Sequence, residues 1–510
     1  MSDFPRRARR GTVVRFFLAG LLVIGLTAGA TATAGLLQVK NFVNDLNRGQ
    51  TIKHLQDVLT PADYGKAQTL LLIGSDHRFT DARGDARSDT MLLVRLDPDA
   101  SAITMLSIPR DLQVSYRLPG DRGTRTAVKM NQTYTDGGEA LTARVIKQLM
   151  PRVKINHIIN INFGGFSEAI NAIGCVYADV DHYYHHKNLP GGEQYSEIDI
   201  PAGYQRLCGT QALQYVRYRH TDTDFVRAAR QQDFLRQIRS QYGVSDFAGD
   251  PHKITRIIGK YSTTDPNLHS TDALLKLVNL GIYTAGKPIR QIQFPPAYLD
   301  VPGGGSYVTA TPQVLQQMQD KFLAKPPKPA AAPKPKPSPK RERGRGRKAS
   351  GPSAASLGLA DMTQTGRDYA IQLGGGVGFP IYYPKLLSAG SQYMAPLQGQ
   401  YPRAYRIKTP DGKMRGAYRL VIRTMSQGNE VYYGVEGTTW TDPPILKTPS
   451  SDHRTLNGRK LDLFYDGVSL RTVAWRSGRA VYWVENTLQD ALTNDQMLAI
   501  AGSLTRLGKG

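Results

Sequence analysis

The sequence predicts an α/β layer sandwich, tethered at its N-terminus by one apolar helix and followed by a second, β-rich unit. Three observations carry this. From residue 69 to about 280, short apolar runs alternate with amphipathic stretches, as strands interleaved with covering helices do. An uncharged run of membrane length, 16–37, precedes them. Composition breaks at Lys325 and becomes strand-like beyond 358. At roughly 150 residues per domain, 510 residues allow two to four domains. A hydrophobic content of 40% and only 2 Cys exclude a wholly disordered chain and a small disulfide scaffold. A single long apolar run excludes a multi-span transporter.

In chain order, residues 1–15 form a basic N-terminus with Arg6, Arg7, Arg9, Arg10 and Arg15 against Asp3. Residues 16–37 (FFLAGLLVIGLTAGATATAGLL) are long enough to cross a ~30 Å hydrocarbon core. The arginines place the N-terminus in the cytoplasm and the remainder outside a cell membrane crossed once. A cleaved signal peptide is the rival reading, with Ala28, Ala30 and Ala32 resembling a cleavage site; the run exceeds the usual apolar core of about 7–15 residues. Residues 38–66 read as a stalk, and 67–324 as one domain. Within it, Leu70 to Ile73, Thr90 to Leu96 and Ala102 to Ile108 read as strands, the last two separated by Asp97-Pro98-Asp99. Glu139 to Leu149 has helical spacing, His157 to Ile161 is strand-like, and Phe163 to Ile173 is a helix stopped by Gly174. The Tyr-, Gly- and Pro-rich 182–207 reads as a long loop. Helices are expected at 211–216, 224–242, about 252–261 and about 268–280.

Residues 325–357 can bury almost nothing and read as an extended, disordered linker, with ten Lys or Arg against Glu342 between Lys325 and Lys348. Much of the net charge of +23 sits in this linker and the N-terminus. The excess therefore reports two solvated segments attracted to anionic surroundings, and nucleic acid is not an expected partner. Residues 358–510 hold YRLVIRT, EVYYGVEGTTW, SLRTVAWRSG and AVYWVEN, β-rich segments ending in an amphipathic helix from Asn494. Thr493 and Gln496 have capping-box spacing there. No catalytic constellation is visible in this unit; as a wall- or partner-binding module, it is expected to leave turnover intact when deleted.

Cys175 and Cys208 are the only possible disulfide pair, 33 positions apart. An exported domain favours a bridge; two buried thiols are the alternative.

The chemistry-bearing residues lie between 74 and 232. Asp76 follows the first strand and Asp89 opens the next, so two carboxylates can meet across adjacent strands. That suits Mg²⁺, which takes one or two carboxylates plus phosphate oxygens; ordinary loop aspartates would read the same. Arg110 ends a third strand. Arg217 and Arg219 share a face if extended, and Arg227, Arg230 and Gln231 share a helical face. Guanidinium forks match phosphate oxygens, although an exposed, salt-bridged helix also has this pattern. Together these residues suggest a Mg²⁺-assisted site for a pyrophosphate outside a membrane.

The segments GSD…RSDT, MLSIPRD, KMNQTY, INFGGF and YVRYRHTDTDFVRAARQQ, in that order from about 69 to 242, resemble the LytR–CpsA–Psr family of cell-envelope enzymes. The resemblance implies a three-layer α/β/α sandwich around a mixed β-sheet, with an apolar cavity for a lipid tail, which stretches 158–163 and 166–173 would suit. It implies a phosphotransferase that moves a glycopolymer from a polyprenyl pyrophosphate carrier onto peptidoglycan, leaving a phosphodiester. Asp76 and Asp89 match the family's Mg²⁺-associated aspartates. Arg87, Arg110, Arg217, Arg219, Arg227 and Gln231 match its pyrophosphate-binding set. Asp224 matches the acid of its DF-x-R motif. Catalysis is thus expected from Asp76, Asp89, Arg110 and Asp224. His77, Thr223 and Val226 depart mildly from the family pattern, and many members lack cysteines at 175 and 208. Two alternatives accompany the transferase. The same site with water as acceptor is a lipid pyrophosphatase. The family's older label as transcriptional attenuators suggests a regulator, but no helix-turn-helix is visible.

Overall fold

The structure, a computed structural model, describes residue 44 and residues 50–508 apart from 64, 77–86, 189–196, 220, 243–261, 285–286, 288, 296, 302–304, 326–352, 398 and 448–449. The expected apolar span at 16–37, most of the loop after Asp76, the helix at 252–261 and most of the linker lie outside the described residues. Among the described residues no helix is long and apolar enough to cross a membrane.

The chain forms two compact units, one of residues 1–177 and 207–326, the other of 178–206 and 327–510. The elements up to the linker are, in order, β1 (Gln50–Thr51), β2 (Gln68–Ser75), β3 (Ser88–Leu96), β4 (Ile103–Ser107), β5 (Gln113–Arg117), β6 (Thr124–Lys129), α1 (Gln132–Leu149), β7 (His157–Asn162), α2 (Phe163–Ala172), β8 (Val176–Val180), β9 (Tyr184–His186), β10 (Ile198–Ile200), β11 (Gly203–Leu207), α3 (Gly209–Arg217), α4 (Asp224–Gln241), β12 (Ser262–Thr264), α5 (Thr271–Thr284), β13 (Ile289–Ile292), β14 (Tyr298–Val301), β15 (Gly305–Val308) and α6 (Pro312–Leu323).

The first unit is α/β around a mixed seven-stranded sheet of order β1-β12-β7-β2-β3-β4-β13. β2 is parallel to β7 and antiparallel to β3, and β3 is antiparallel to β4. The ends of β2 and β4 and the start of β3 therefore share one sheet edge. β2 is a continuous apolar run because both its faces are buried. Leu71 and Ile73 join a core with Leu141, Val145 and Ile146 of α1 and Met318 and Phe322 of α6, while Leu70 and Leu72, pointing the other way, are equally covered.

Two expectations change here. α1 begins seven residues before Glu139, and its backbone breaks at Gly137 and Gly138. The stretch 182–207 is not an irregular loop: β9 pairs antiparallel with β10, and β11 is hydrogen-bonded to β8 in a second two-stranded sheet. Tyr184 and Tyr204 of this stretch are completely buried. These residues interrupt the expected 67–324 domain. Cys175 and Cys208 are bridged, with Cα atoms 4.5 Å apart.

Beyond the linker run β16 (Leu359–Asp361), α7 (Thr363–Leu373), β17 (Tyr382–Tyr383), β18 (Leu386–Ser388), β19 (Gln392–Tyr393), β20 (Arg403–Lys408), β21 (Met414–Ser426), β22 (Asn429–Thr438), β23 (Asp452–Leu456), β24 (Arg459–Asp466), β25 (Ser469–Ser477), β26 (Ala480–Glu485) and α8 (Asn494–Ser503). An antiparallel eight-stranded sheet holds β19-β21-β22-β26-β25-β24-β23, with β20 on β21. One face packs Tyr418, Tyr433, Trp475 and Tyr482 against Leu373 of α7 and Met497 and Ile500 of α8. Trp475 stacks on Tyr482 at 5.2 Å. The Thr493–Gln496 capping box is formed.

Candidate active site

The shared sheet edge gathers the charged residues. Gly74 pairs with Thr90 and Ser75 with Ser88, which leaves Asp89 as the extra residue of a β-bulge. A bulge re-aims its side chain, and Asp89 meets Arg110 (Nη1–Oδ1 2.6 Å) and Arg217 (Nη2–Oδ2 3.3 Å). Its carbonyl accepts from Arg227 at 2.9 Å. Burial opposes its ionisation, but Arg227, Arg110 and Arg217 together hold the Asp89 carboxyl below the usual range.

Asp76 follows β2. Its Oδ1 accepts from the Arg87 amide at 2.5 Å, and its own amide donates to the Arg87 carbonyl. Burial pushes its pKa up, with the Asp89 charge adding to the effect. Arg87 thus reaches the site through its main chain, while the residue itself is solvent-exposed.

Arg110 follows β4, and its amide donates to Asp224 Oδ2 at 3.2 Å. Asp224 begins α4 and ion-pairs with Arg227 one turn on at 2.8 Å, and with Arg219 at 3.5 Å. A carboxylate there also complements the helix dipole. Arg227 is almost fully buried, and that burial draws its pKa down despite Asp224 and Asp89. Arg217 lies 3.7 Å from the Phe163 ring centroid, a cation–π contact. Gln231 donates to the Val216 carbonyl at 3.1 Å, fixing the end of α3.

The expected extended geometry at 217–219 is not observed. Arg217 is the last residue of α3 and Tyr218 leaves the helix with ψ 133°; the sharp exit, not strand alternation, takes Arg217 to Asp89 and Arg219 to Asp111 and Asp224. Arg230 departs from its expected face as well. It is fully buried, bonded to Asp222 (2.6 Å) and to the Tyr218 carbonyl (2.6 Å), and it braces that exit.

Two residues escaped sequence reasoning. Asp111 ion-pairs with Lys129 at 2.9 Å and Arg219 at 3.3 Å. Both stood in quoted segments, Asp111 ending MLSIPRD and Lys129 opening KMNQTY, which β5 and β6 bring together as an antiparallel pair.

Among the described residues, Asp76 makes no ion pair and no cluster of three metal-ligating side chains exists. Asp76 and Asp89 nevertheless stand close enough for mutual repulsion, and a divalent cation relieves such repulsion. Two carboxylates with the remaining positions left to phosphate and water fit Mg²⁺. Elsewhere in the first unit, a cavity of about 1040 Å³ is lined by Ile52, Arg122, Gly138, Glu139, Leu141 and Arg144 among others. The stretches 158–163 and 166–173 are not part of its lining; Ile158 packs in the core instead.

The sequence matches the model of the LytR_cpsA_psr family over residues 35–323. The chain belongs to that family. It is 28% identical over 272 residues to the polyisoprenyl-teichoic acid–peptidoglycan teichoic acid transferase TagV of Bacillus subtilis (strain 168), covering 53% of this chain and 66% of that protein. It is 25% identical over 317 residues to biofilm regulatory protein A of Streptococcus mutans serotype c, covering 61% and 74%. Among solved structures, the crystal structure of TagV from B. subtilis is 25% identical and aligns over 51% of this chain and 97% of that one, with a TM-score of 0.42.

Proposed function

We propose that this protein is a membrane-anchored, Mg²⁺-dependent phosphotransferase that joins a glycopolymer, carried on a polyprenyl pyrophosphate, to peptidoglycan. Asp89, Asp111 and Asp224 surrounded by Arg110, Arg217, Arg219 and Arg227 carry this reading. Membership of the family and the names of its transferases support it. Residues 16–37 serve as the anchor, with the N-terminus cytoplasmic and the folded units outside.

In the reaction, an acceptor sugar hydroxyl oxygen attacks the phosphorus that bears the glycan. A new P–O bond forms, the P–O bond to the carrier breaks, and polyprenyl phosphate leaves. Arg110, Arg217, Arg219 and Arg227 bind the pyrophosphate oxygens and stabilise charge as it shifts to the leaving phosphate. Asp224 and Asp111 hold the guanidinium forks in place before the lipid arrives. A carboxylate of the cluster takes the hydroxyl proton. Mg²⁺, held by Asp76 and Asp89, would supply further neutralisation of phosphoryl charge.

The test incubates the full chain in detergent with a polyprenyl-pyrophosphate-linked saccharide, peptidoglycan fragments and Mg²⁺, and reads products by mass spectrometry. The expected product is saccharide joined to peptidoglycan through phosphate, with turnover reduced roughly 10²–10³-fold in Asp89→Ala and in Arg219→Ala. Release of polyprenyl phosphate with only unattached saccharide phosphate, peptidoglycan being present, would instead make the protein a pyrophosphatase.

A further inference from the structure

Residues 178–206 leave the catalytic half of the sequence at Tyr177, return at Leu207, and between these points belong to the same compact unit as residues 327–510. We propose that they are a docking arm: the C-terminal β-domain grips them noncovalently, and through them it stays attached to the N-terminal half of the chain whether or not the linker is intact.

The grip is polar and fully buried at its centre. Asp179 pairs with Arg419 of β21 at 2.8 Å, each side chain 1% exposed, and accepts from the indole N–H of Trp483 in β26 at 2.8 Å. Arg419 also faces Glu436 of β22 at 3.9 Å. Main-chain groups of the arm are met by side chains of the domain. The Tyr183 amide donates to the Tyr401 hydroxyl at 2.6 Å, the Tyr204 amide to the Tyr405 hydroxyl at 2.6 Å, and Arg403 donates to the Ala202 carbonyl. In return, the Ile445 amide donates to the Tyr204 hydroxyl at 3.0 Å.

Apolar contacts surround this centre. Tyr204 meets the Trp483 ring edge-on at 5.5 Å, His182 stacks on Tyr432 at 4.0 Å, and Ala202 clusters with Tyr401, Val421 and Tyr432. Gly203 is a second constraint: a Cβ there would lie 2.5 Å from the Tyr405 hydroxyl. Without the arm, Arg419 and Trp483 would lose Asp179, their shared carboxylate, beneath an uncovered aromatic face. Buried groups left so are costly, so the domain is complete only with this segment in place. The Cys175–Cys208 bridge lies just outside the arm and holds its two ends together.

The experiment inserts a specific protease site between residues 334 and 345 of the full chain, cleaves it, and applies the detergent-solubilised product to a sizing column at physiological salt. Both fragments are expected to elute together; their separation would overturn the proposal. Hydrogen exchange on the uncut protein gives a second reading that does not depend on a damaged variant folding. The Tyr183 and Tyr204 amides are expected to be protected in the wild type, and Tyr405→Phe is expected to raise exchange at Tyr204 about tenfold. Rapid exchange at both amides in the uncut wild type would equally overturn the docked arm.

Discussion

At the residue scale, the arginines fall into two physical kinds that the sequence does not separate. Arg219 is about one-third exposed, and its partners Asp111 and Asp224 are each satisfied elsewhere. Its removal is expected to change stability by only about 1 kcal/mol or less while reducing turnover roughly 10²–10³-fold. Arg230 is fully buried against Asp222. Arg230→Ala leaves that carboxylate unpaired, at a cost of about 3–5 kcal/mol. Scanning calorimetry on the two variants checks the contrast: comparable losses would mean that Arg219 is structural too. Spacing alone placed Arg227, Arg230 and Gln231 on one face; only the fold shows that Arg230 points at the Tyr218–Asp222 turn. Asp89 was legible as a strand-edge carboxylate, but its bulge was not, since a bulge is a relation between two strands.

At the element scale, periodicity revealed β2, β3, β4 and β7 of the central sheet and α2 to α5, because one buried face dictates residue type at fixed spacing; the short β1, β12 and β13 of the same sheet carry too few residues to show a period. It failed at α1, whose first turns carry Thr135, Asp136, Gly137 and Gly138 in place of apolar residues. The structure explains the glycines. Gly138 has φ 63° and ψ −154°, a region open almost only to glycine. Gly138→Ala is therefore expected to destabilise the first unit by about 1–3 kcal/mol, measured by calorimetry; an unchanged melting profile would show that the break in α1 is not needed. The same limit hid the strands of 178–206. Their alternation is short, and the partners of Tyr204 (Tyr405, Trp440 and Trp483) lie two hundred residues or more further along, beyond the reach of any local pattern.

At the scale of the whole molecule, the charges that matter most to stability are not those that dominate composition. The linker and N-terminus account for much of the +23, whereas the second unit hides at its centre a titratable group that net charge does not register. Glu436 is fully buried; burial first, and then the neighbouring Asp179 charge, raise its pKa far above the ordinary glutamate range, against the opposing effects of Arg419, the Tyr405 hydrogen bond and Arg403. The folded protein therefore keeps this proton at pH values where the unfolded chain, with an ordinary pKa near 4.3, has released it. The native state binds more protons, so the Glu436 contribution is fully present below about pH 4 and declines as pH rises towards the folded value, by up to about 1.4 kcal/mol per pH unit for one proton. Glu436→Gln removes the titrating group and keeps the shape. All 3 Trp lie between 440 and 483, so tryptophan fluorescence follows this unit alone during urea unfolding. Its midpoint is expected to fall between pH 5 and 8 in the wild type, and to fall less steeply in Glu436→Gln. Parallel profiles would show that Glu436 is ionised in the folded protein, compensated by Arg419 and Arg403, and that the centre holding Asp179 is a fully charged network.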